Sequence, residues 1–298
     1  MTLLGIDVSH YQGKVDWFAV ARGNVKFAFA KASEGNLAVD STFRENWQRM
    51  QEAGLFRGAY HFGRPGRDPE TQAALFASVV GALGFRDLPP VLDLEESDGQ
   101  SAAQVLDWAR AFILKAEQLL GRALMIYTGG FWRGPLGNPK DPFFGARRLW
   151  LAAYNSNPVV PASWSNWTFW QYSEGQHNGP ALIPGVRPCD QDRFAGTEAE
   201  LAALCDPTPA PVPPSIVDGA AESPAFPGRM LVWPHTPIIT GPAVAQWQRR
   251  MVELGFHLTV DGAYGPSSKA ACIALQKEHG LSADGIVGPT TWRACFGA

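Results

Sequence analysis

Short apolar runs alternate with amphipathic segments over the first two thirds of the chain. The short runs have the length of buried strands, and the longer segments have the spacing of helices that pack on one face. Repeated strand-helix-strand units favour a parallel sheet, and this many strands within about 200 residues can close into a barrel. The predicted strands cover residues 3–9, 27–30, 58–62, 88–95, 124–127, 149–152 and 168–172, and the predicted helices cover residues 41–53, 69–83 and 101–120.

Two acids interrupt the apolar run of residues 88–95 at alternate positions. Because side chains alternate along a strand, Asp93 and Glu95 share one face, and Leu92 and Leu94 point to the other. Carboxylates are costly to bury, so such a strand must deliver both acids to water, a metal or a substrate. The D-x-E pattern alone is also typical of exposed or salt-bridged acids. Its position just before a loop favours an active site, since parallel α/β sheets place their active sites there.

Two more acids are expected at the same rim. Asp7 ends the first strand, and Asp190 lies in the last motif of this region, residues 187–194. If the sheet closes, the first and final strands become neighbours, and the four acids lie together at one end of the barrel. Salt bridging explains such convergence poorly.

Composition and charge narrow the class of protein. The chain has 298 residues, of which 46% are hydrophobic and 18% charged, with a formal net charge of −3. These values indicate a globular protein and argue against a general nucleic-acid binder. No stretch approaches the roughly 20 apolar residues of a membrane helix. Residues 1–7 lack the features of a signal peptide, so we expect either a protein kept in a cytoplasm or one whose leader was removed.

Cysteine and histidine positions predict neither a metal site nor a cofactor. The four cysteines form no C-x-x-C pair and lack metal-ligand spacing with the six histidines. Bridges between Cys189 and Cys205 and between Cys272 and Cys295 are conceivable. Without a secretion signal, free packed thiols are favoured.

A change of composition divides the chain. Residues 207–227 contain seven prolines and few large apolar residues, which predicts a semi-rigid linker in extended polyproline geometry. In residues 228–298, an Asp-Gly turn occurs at Asp261 and again at Asp284, each followed by a helix. This region predicts a small all-α domain of three helices without a catalytic cluster. We therefore expect two folded units, residues 1–206 and 228–298.

Short motifs follow one another along residues 1–206: residues 5–9, 12–13, 31–35, 58–62, 92–95, 126–128, 149–150 with Ala152 and Tyr154, 170–172, and Asp190 with Asp192 and Phe194. In this order they resemble family 25 glycoside hydrolases, the lysozymes or N-acetylmuramidases that cut bacterial peptidoglycan. The resemblance implies an irregular, TIM-like β/α barrel with eight strands. Residues 228–298 are similar to the helical peptidoglycan-binding module, through the Asp-Gly repeat and Gln248.

The resemblance also implies roles for the acids. Glu95 is the general acid and base, and Asp93 orients the 2-acetamido group of the substrate in a retaining, substrate-assisted route. Asp7 and Asp190 hold charge, position water or tune Glu95. Alternate strand residues lie about 6.6 Å apart at Cα. That spacing falls between the carboxyl separations of retaining and inverting enzymes, so it leaves the stereochemistry open.

Side chains near the strand ends are implied to bind the sugar. His61 alternates with its neighbours on the strand and should face the other way, as a structural residue. Lys31 and Glu34 could pair with each other or bind saccharide, and both alternatives stay open. The implied sugar-binding residues are Tyr60, Phe62, Tyr127, Tyr154, Gln171 and Asp192.

The expected function is therefore hydrolysis of the β-1,4 bond between N-acetylmuramic acid and N-acetylglucosamine, with the C-terminal module as wall anchor. The missing signal peptide favours a phage endolysin that stays in the host cytoplasm until release. A monomer is favoured, with peptidoglycan as the partner and with no nucleic acid or membrane. A chitinase-like hydrolase is one alternative, and a non-catalytic wall-binding protein is another, which the complete acid set disfavours. The lack of an H-E-x-x-H motif disfavours a zinc peptidase.

Overall fold

The computed structural model describes residues 2–175, 182–206 and 226–297, except residues 229, 236 and 257. The chain divides into two compact units, Met1–Val212 and Pro213–Ala298. The polyproline geometry expected for the linker falls almost entirely outside the described residues. In the ranges described, no helix combines the length and the apolar character needed to cross a membrane.

Eight strands of the first unit close into a barrel, which confirms the predicted fold class. The order around it is β1, β2, β4, β5, β6, β7, β8 and β9, and β9 returns to β1. Neighbours are parallel, except that β9 is antiparallel to both β8 and β1. The strands are β1 (Leu3–Val8), β2 (Val25–Glu34), β3 (Ala38–Val39), which extends β2 antiparallel outside the ring, β4 (Phe56–Phe62), β5 (Val91–Asp93), β6 (Met125–Thr128), β7 (Arg148–Ala152), β8 (Phe169–Ser173) and β9 (Asp190–Phe194).

The helices cover one side of the barrel more fully than the other, so the barrel is irregular. Between β6 and β8 the structure has only one-turn helices. The longest helix begins at a capping box, in which Ser101 and Gln104 satisfy each other's backbone N–H groups. The helices of this unit are α1 (Trp17–Arg22), α2 (Phe43–Glu52), α3 (Pro69–Val80), α4 (Ala102–Leu120), α5 (Gly130–Arg133), α6 (Pro142–Gly145) and α7 (Glu198–Ala203).

His61 lies in the layer between the barrel and its helices, on the face predicted from strand alternation. Its ring is fully buried and stacks on Phe112, with the ring centroids 4.9 Å apart. Nδ1 lies 2.9 Å from Ser33 Oγ, and Nε2 lies 3.0 Å from Gln72 Oε1. Burial lowers the pKa of His61 to about 4, so the ring is neutral and structural.

Aromatic rings fill the barrel interior below the carboxyl ends of the strands. Phe29 stacks on Trp150 with centroids 4.3 Å apart, and Phe27 packs against Phe169 at 4.9 Å. These rings require glycine on the neighbouring strands, because a Cβ at Gly5 would lie 2.1 Å from the Phe27 ring. The interior is therefore a packed core, and a ligand has room only at the strand ends.

The strand that carries Asp93 is shorter than predicted. It was expected to cover residues 88–95, but β5 includes only Val91–Asp93. Two prolines at its start have no N–H to donate to a ladder. At its end, the Leu94 N–H still donates to Tyr127 O at 2.9 Å, and the chain leaves the sheet after that bond. Leu94 is fully buried, so the alternation continues far enough to place Glu95 on the same side as Asp93.

The second unit contains the three predicted helices, α8 (Pro242–Glu253), α9 (Pro266–Glu278) and α10 (Pro289–Phe296). Its core includes Trp247, Tyr264 and Trp292, all at most 1% exposed. The four cysteines of the chain carry free thiols, two of them in this core. The unit therefore has a hydrophobic core of its own.

A buried glutamine holds each Asp-Gly turn of this unit. Gln248 accepts from the Gly262 N–H at 2.8 Å and donates to Asp261 at 2.7 Å. Gln276 does the same for the second turn, accepting from Gly285 at 2.9 Å and donating to Asp284 at 2.8 Å. Gln248 therefore has a structural role, and Gln276 is its equivalent at the second turn.

Candidate active site

A cavity of about 210 Å³ opens at the carboxyl ends of the barrel strands. All four acids predicted at one rim line it. A larger cavity, of about 350 Å³, lies at the opposite end of the barrel and contains none of the four acids, so the chemistry favours the smaller one. The smaller cavity is lined by Asp7, Val8, Ser9, Tyr11, Gln12, Lys31, Tyr60, Phe62, Asp93, Glu95, Tyr127, Trp150, Gln171 and Asp190.

Asp93 and Glu95 form one wall of the cavity but differ in environment. Asp93 is only 6% exposed, and its Oδ1 has no hydrogen-bond donor among the described residues. Burial, followed by the charge of Glu95, raises the pKa of Asp93 well above its usual value. Glu95 is exposed to the groove. Its pKa is also raised, mainly because the surrounding protein partly removes the carboxyl from water. Both acids therefore hold protons to higher pH than free carboxyls do.

Lys31 places a positive charge close enough to act on this pair. Its Nζ lies 2.6 Å from Glu34 Oε2 and 4.7 Å from the Phe62 ring centroid. Its charge lowers the pKa of both Asp93 and Glu95, against the larger effect of burial. Lys31 therefore pairs with Glu34 and also lines the cavity. The sequence had left open whether Lys31 pairs with Glu34 or binds saccharide.

We expect Lys31→Met to move the pH profile of hydrolysis to higher pH. Without the ammonium group the pKa of Glu95 rises, so the proton-donating form persists further into the alkaline range. The pKa of Asp93 rises in the same direction, which moves the acidic limb upward as well. The measurement is kcat/KM against pH on purified peptidoglycan. Lys26→Met is the matched control, because Lys26 lies on the same strand but outside the cavity, and an unmoved profile in Lys31→Met would contradict the prediction.

Asp7 and Asp190 form the facing wall. They lie directly opposite each other in the antiparallel pairing of β1 and β9. Asp7 is 6% exposed, and burial, then Asp190 and Asp192, raise its pKa well above the usual range. Burial, then Glu174 and Glu95, raises the pKa of Asp190 to about 6. This wall therefore holds two neighbouring carboxyls whose ionised forms are disfavoured by burial and by the acids around them.

Gln171 links the aromatic side of the groove to Asp7. Its Nε2 donates to Asp7 Oδ2 at 2.8 Å. Its Oε1 accepts from Tyr127 Oη at 2.8 Å and from Tyr154 Oη at 2.9 Å. With both ends of the amide occupied, Gln171 is held in one orientation and orients the Asp7 carboxyl.

Two residues expected to bind sugar do not line the cavity. Asp192 is 0% exposed, and its Oδ1 accepts from Trp150 Nε1 at 2.8 Å, below the floor of the groove. Tyr154 is 44% exposed and contacts the site through Gln171. Strand alternation identifies the face of a residue but not its depth in the barrel, so the sequence could not separate these residues from Tyr60, Phe62 and Tyr127.

Several residues that line the cavity were not predicted from the sequence. Trp150 was named only as part of a motif, because a tryptophan in a predicted strand is equally typical of a hydrophobic core. Ser9, Tyr11 and Gln12 follow the first strand, and Tyr11 is 75% exposed. A tyrosine four positions after an acid at a strand end was the sequence signal that could have identified this part of the groove.

Comparison with known proteins assigns both units. Residues 6–179 match the family model of glycosyl hydrolases family 25, and residues 240–294 match that of a putative peptidoglycan binding domain. Lysozyme M1 of Streptomyces globisporus is 36% identical over 215 residues, 68% of this chain and 71% of that protein.

Two further proteins agree with this assignment. An N,O-diacetylmuramidase of a Chalaropsis species is 30% identical over 60% of this chain and 91% of its own length. The crystal structure of a bacterial lysozyme from Streptomyces coelicolor superimposes with a TM-score of 0.63 and 35% identity, covering 68% of this chain and 96% of that one. On these grounds the chain belongs to family 25 of the glycosyl hydrolases.

Proposed function

We propose that the protein is a lysozyme that hydrolyses the β-1,4 bond between N-acetylmuramic acid and N-acetylglucosamine in peptidoglycan. The observation that carries this is the acid arrangement, in which Glu95 faces an open groove with a raised pKa, among three further carboxyls. Glycoside hydrolysis needs one protonated carboxyl for the leaving oxygen and negative charge near the anomeric carbon. Membership of family 25 and the lysozymes among its relatives support the substrate class.

In the proposed reaction, Glu95 donates its proton to the glycosidic oxygen as the bond to the anomeric carbon breaks. The carbonyl oxygen of the 2-acetamido group attacks the same carbon, which forms a cyclic oxazolinium intermediate. Asp93 accepts a hydrogen bond from the acetamido N–H, for which its Oδ1 is free of protein donors in the described part of the chain. Glu95 then removes a proton from the water that opens the intermediate, so the anomeric configuration is retained.

Asp7 and Asp190 act from the opposite wall. Positive charge develops on the sugar ring in the transition state, and a carboxylate in a partly dry groove stabilises it more strongly than one in water. Gln171 holds Asp7 toward the cavity. Asp190, with a pKa of about 6, changes its ionisation within the physiological range. Both acids thereby set how easily Glu95 gives up and regains its proton.

The C-terminal unit is proposed to hold the enzyme on the wall. It matches a putative peptidoglycan binding domain, and its acids Asp261 and Asp284 are used in holding their turns. Tethering raises the local concentration of the catalytic unit on an insoluble substrate. The role as a phage endolysin, held in the host cytoplasm until release, stays a prediction from the sequence.

Analysis of the reaction products tests the proposal. We expect digestion of purified peptidoglycan to release muropeptides with muramic acid at the new reducing end, detected by mass spectrometry after borohydride reduction. New reducing ends on glucosamine, or free amino groups from cut peptides, would contradict it. Chitin oligomers serve as the comparison substrate, and faster cleavage of chitin than of peptidoglycan would favour the chitinase-like alternative.

A further inference from the structure

We infer that Asp98 is a positioning residue for Glu95, because it fastens the loop that carries Glu95 to the loop that follows β4. The fastening consists of an ion pair with Arg64 and a hydrogen bond from the Gly66 backbone. Its effect on catalysis rests on the proposed lysozyme function. Its effect on the order of the loop does not, and that order can be measured separately.

The sheet does not hold Glu95 directly. β5 ends at Asp93, and the chain leaves the sheet after the Leu94 N–H has donated to Tyr127 O. In the described ranges no side chain donates a hydrogen bond to the Glu95 carboxyl. A catalytic group must be held within about 0.5 Å of its productive position. The position of this carboxyl therefore depends on whatever fixes the backbone of its loop.

Both carboxylate oxygens of Asp98 bind the loop that follows β4. Oδ1 lies 2.6 Å from Arg64 Nη2, and Oδ2 accepts the Gly66 N–H at 3.1 Å. The Asp98 side chain is only 13% exposed. The two loops also approach closely, since a Cβ added at Gly66 would lie 2.9 Å from the Asp98 Cβ. Two bonds in different directions fix the orientation of the carboxylate as well as its distance.

Residues 63–67 form a firm base for these bonds. Gln72 of α3 accepts from the Arg64 N–H at 3.1 Å and donates to Arg64 O at 2.9 Å. Trp108 of α4 donates from Nε1 to Arg67 O at 2.7 Å. The base is therefore held by two helices, and it can hold the neighbouring loop in turn.

The backbone of Asp98 is in the left-handed region, with φ +50°. Residues other than glycine seldom adopt this conformation, and aspartate and asparagine tolerate it best. Such a conformation persists when the surroundings require it, and here the side-chain bonds supply that requirement. With Leu94 bound to the sheet and Asp98 bound to residues 63–67, Glu95 lies between two fixed points of the backbone.

Arg64 also connects this fastening to the positive charge on the cavity wall. Its Nη1 lies 3.9 Å from Glu34 Oε1, and Glu34 Oε2 lies 2.6 Å from Lys31 Nζ. One series of opposite charges thereby joins the loops after β2, β4 and β5. The four side chains of this series are between 12% and 36% exposed, so each ion pair adds little to stability. Their contribution is to orient the groups around Glu95.

The first test needs no activity and changes a residue outside the loop of Glu95. Arg64→Met removes the ion pair with Asp98 and leaves the sequence of residues 94–100 intact. We expect amide hydrogen exchange in residues 94–100 to become at least about threefold faster than in wild type, because the loop opens more often. Mass spectrometry of proteolytic peptides measures the exchange. Unchanged exchange in residues 94–100 would overturn the inference.

Arg110→Met is the matched control. Asp141 resembles Asp98 in its bonds, since one oxygen lies 2.7 Å from Arg110 Nη2 and the other accepts a backbone N–H at 2.9 Å. Neither Arg110 nor Asp141 lines the cavity. We expect exchange in residues 94–100 to stay at the wild-type rate in this variant. A rise equal to that in Arg64→Met would show a general loosening of the barrel and would count against the inference.

The second test measures kinetics in the full chain. Asp98→Gly removes both bonds and suits the left-handed backbone. We expect kcat to fall about 10- to 100-fold and KM to change by less than about threefold, because the acid is misplaced while the sugar contacts remain. Asp98→Asn keeps an acceptor for the Gly66 N–H, so its kcat should fall less, about three- to tenfold. Asp141→Gly should stay within about twofold of wild type.

A double variant tests whether the two residues act as one unit. Asp98→Gly combined with Arg64→Met should lose no more kcat than Asp98→Gly alone, because both changes remove the same ion pair. A combined loss equal to the product of the two single losses would overturn the inference. So would a loss in Asp98→Gly that appears in KM rather than in kcat.

The outcomes also distinguish this inference from the proposed function. If the wild type does not cut peptidoglycan, the proposed function fails, and hydrogen exchange still decides whether Arg64 and Asp98 order the loop. If the wild type is a lysozyme and Asp98→Gly keeps its kcat within about twofold, the positioning role is wrong while the proposed function stands. Thermal unfolding of each variant shows whether a loss of activity is a loss of fold.

Discussion

Glu95→Gln is expected to abolish wall hydrolysis and to leave wall binding unchanged. The amide is nearly isosteric with the carboxyl but has no proton to give to the leaving oxygen and cannot act as a base. Loss of a general acid typically costs about 100- to 10,000-fold in rate. Binding should persist because the C-terminal unit does not depend on this residue. The measurements are the release of reducing ends from purified peptidoglycan and the sedimentation of the protein with the same walls.

Glu96→Gln is the matched control. Glu96 is the next residue and also an acid, but it does not line the cavity, and its Oε1 accepts the Ser97 N–H at 3.0 Å. An amide oxygen can accept the same bond, so we expect activity within about threefold of wild type. Equal losses in both variants would point to a disturbed loop. More than about a tenth of wild-type activity in Glu95→Gln would contradict its assignment as the acid.

Deletion of residues 207–298 is expected to separate catalysis from targeting. The barrel has its own closed sheet and core, so hydrolysis of short soluble glycan fragments should stay within about twofold of the full chain. On intact walls the rate should fall at least about tenfold at low enzyme concentration, because tethering no longer raises the local concentration. The loss of rate should become smaller as the enzyme concentration increases, because a higher concentration in solution then compensates for the missing tether.

Two controls support the deletion experiment. The thermal transition of residues 1–206 should match the barrel transition of the full chain, which shows that truncation has not damaged the catalytic unit. Residues 228–298 alone should sediment with purified walls. Unchanged activity on intact walls after deletion, or no wall binding by the isolated unit, would contradict the proposed anchoring role.

Local pattern was enough to predict most elements of the fold. Alternation of apolar and polar positions predicted that Asp93 and Glu95 share a face and that His61 points away from the groove, and both are seen in the structure. The predicted extent of β5 was wrong, because the periodicity of side chains does not report where the backbone hydrogen bonds of a strand end. Asp192 and Tyr154 do not line the cavity, and their role in binding sugar stays a prediction. Which strand residues reach a cavity depends on the side chains that fill the barrel, and alternation does not report this.

The sequence by itself determined that this chain has strands ending in acids, a proline-rich boundary and a second unit with a repeated turn. These features are local, because the spacing of residues along a strand or turn decides them. Only the tertiary structure decided that Gln171 reaches Asp7 across 164 residues, and that Asp192 lies beneath them with one oxygen lacking a donor in the part of the chain described. Closure of the barrel and the register of β9 set those contacts. They follow from the packing of the whole sheet, which no segment of the sequence encodes alone.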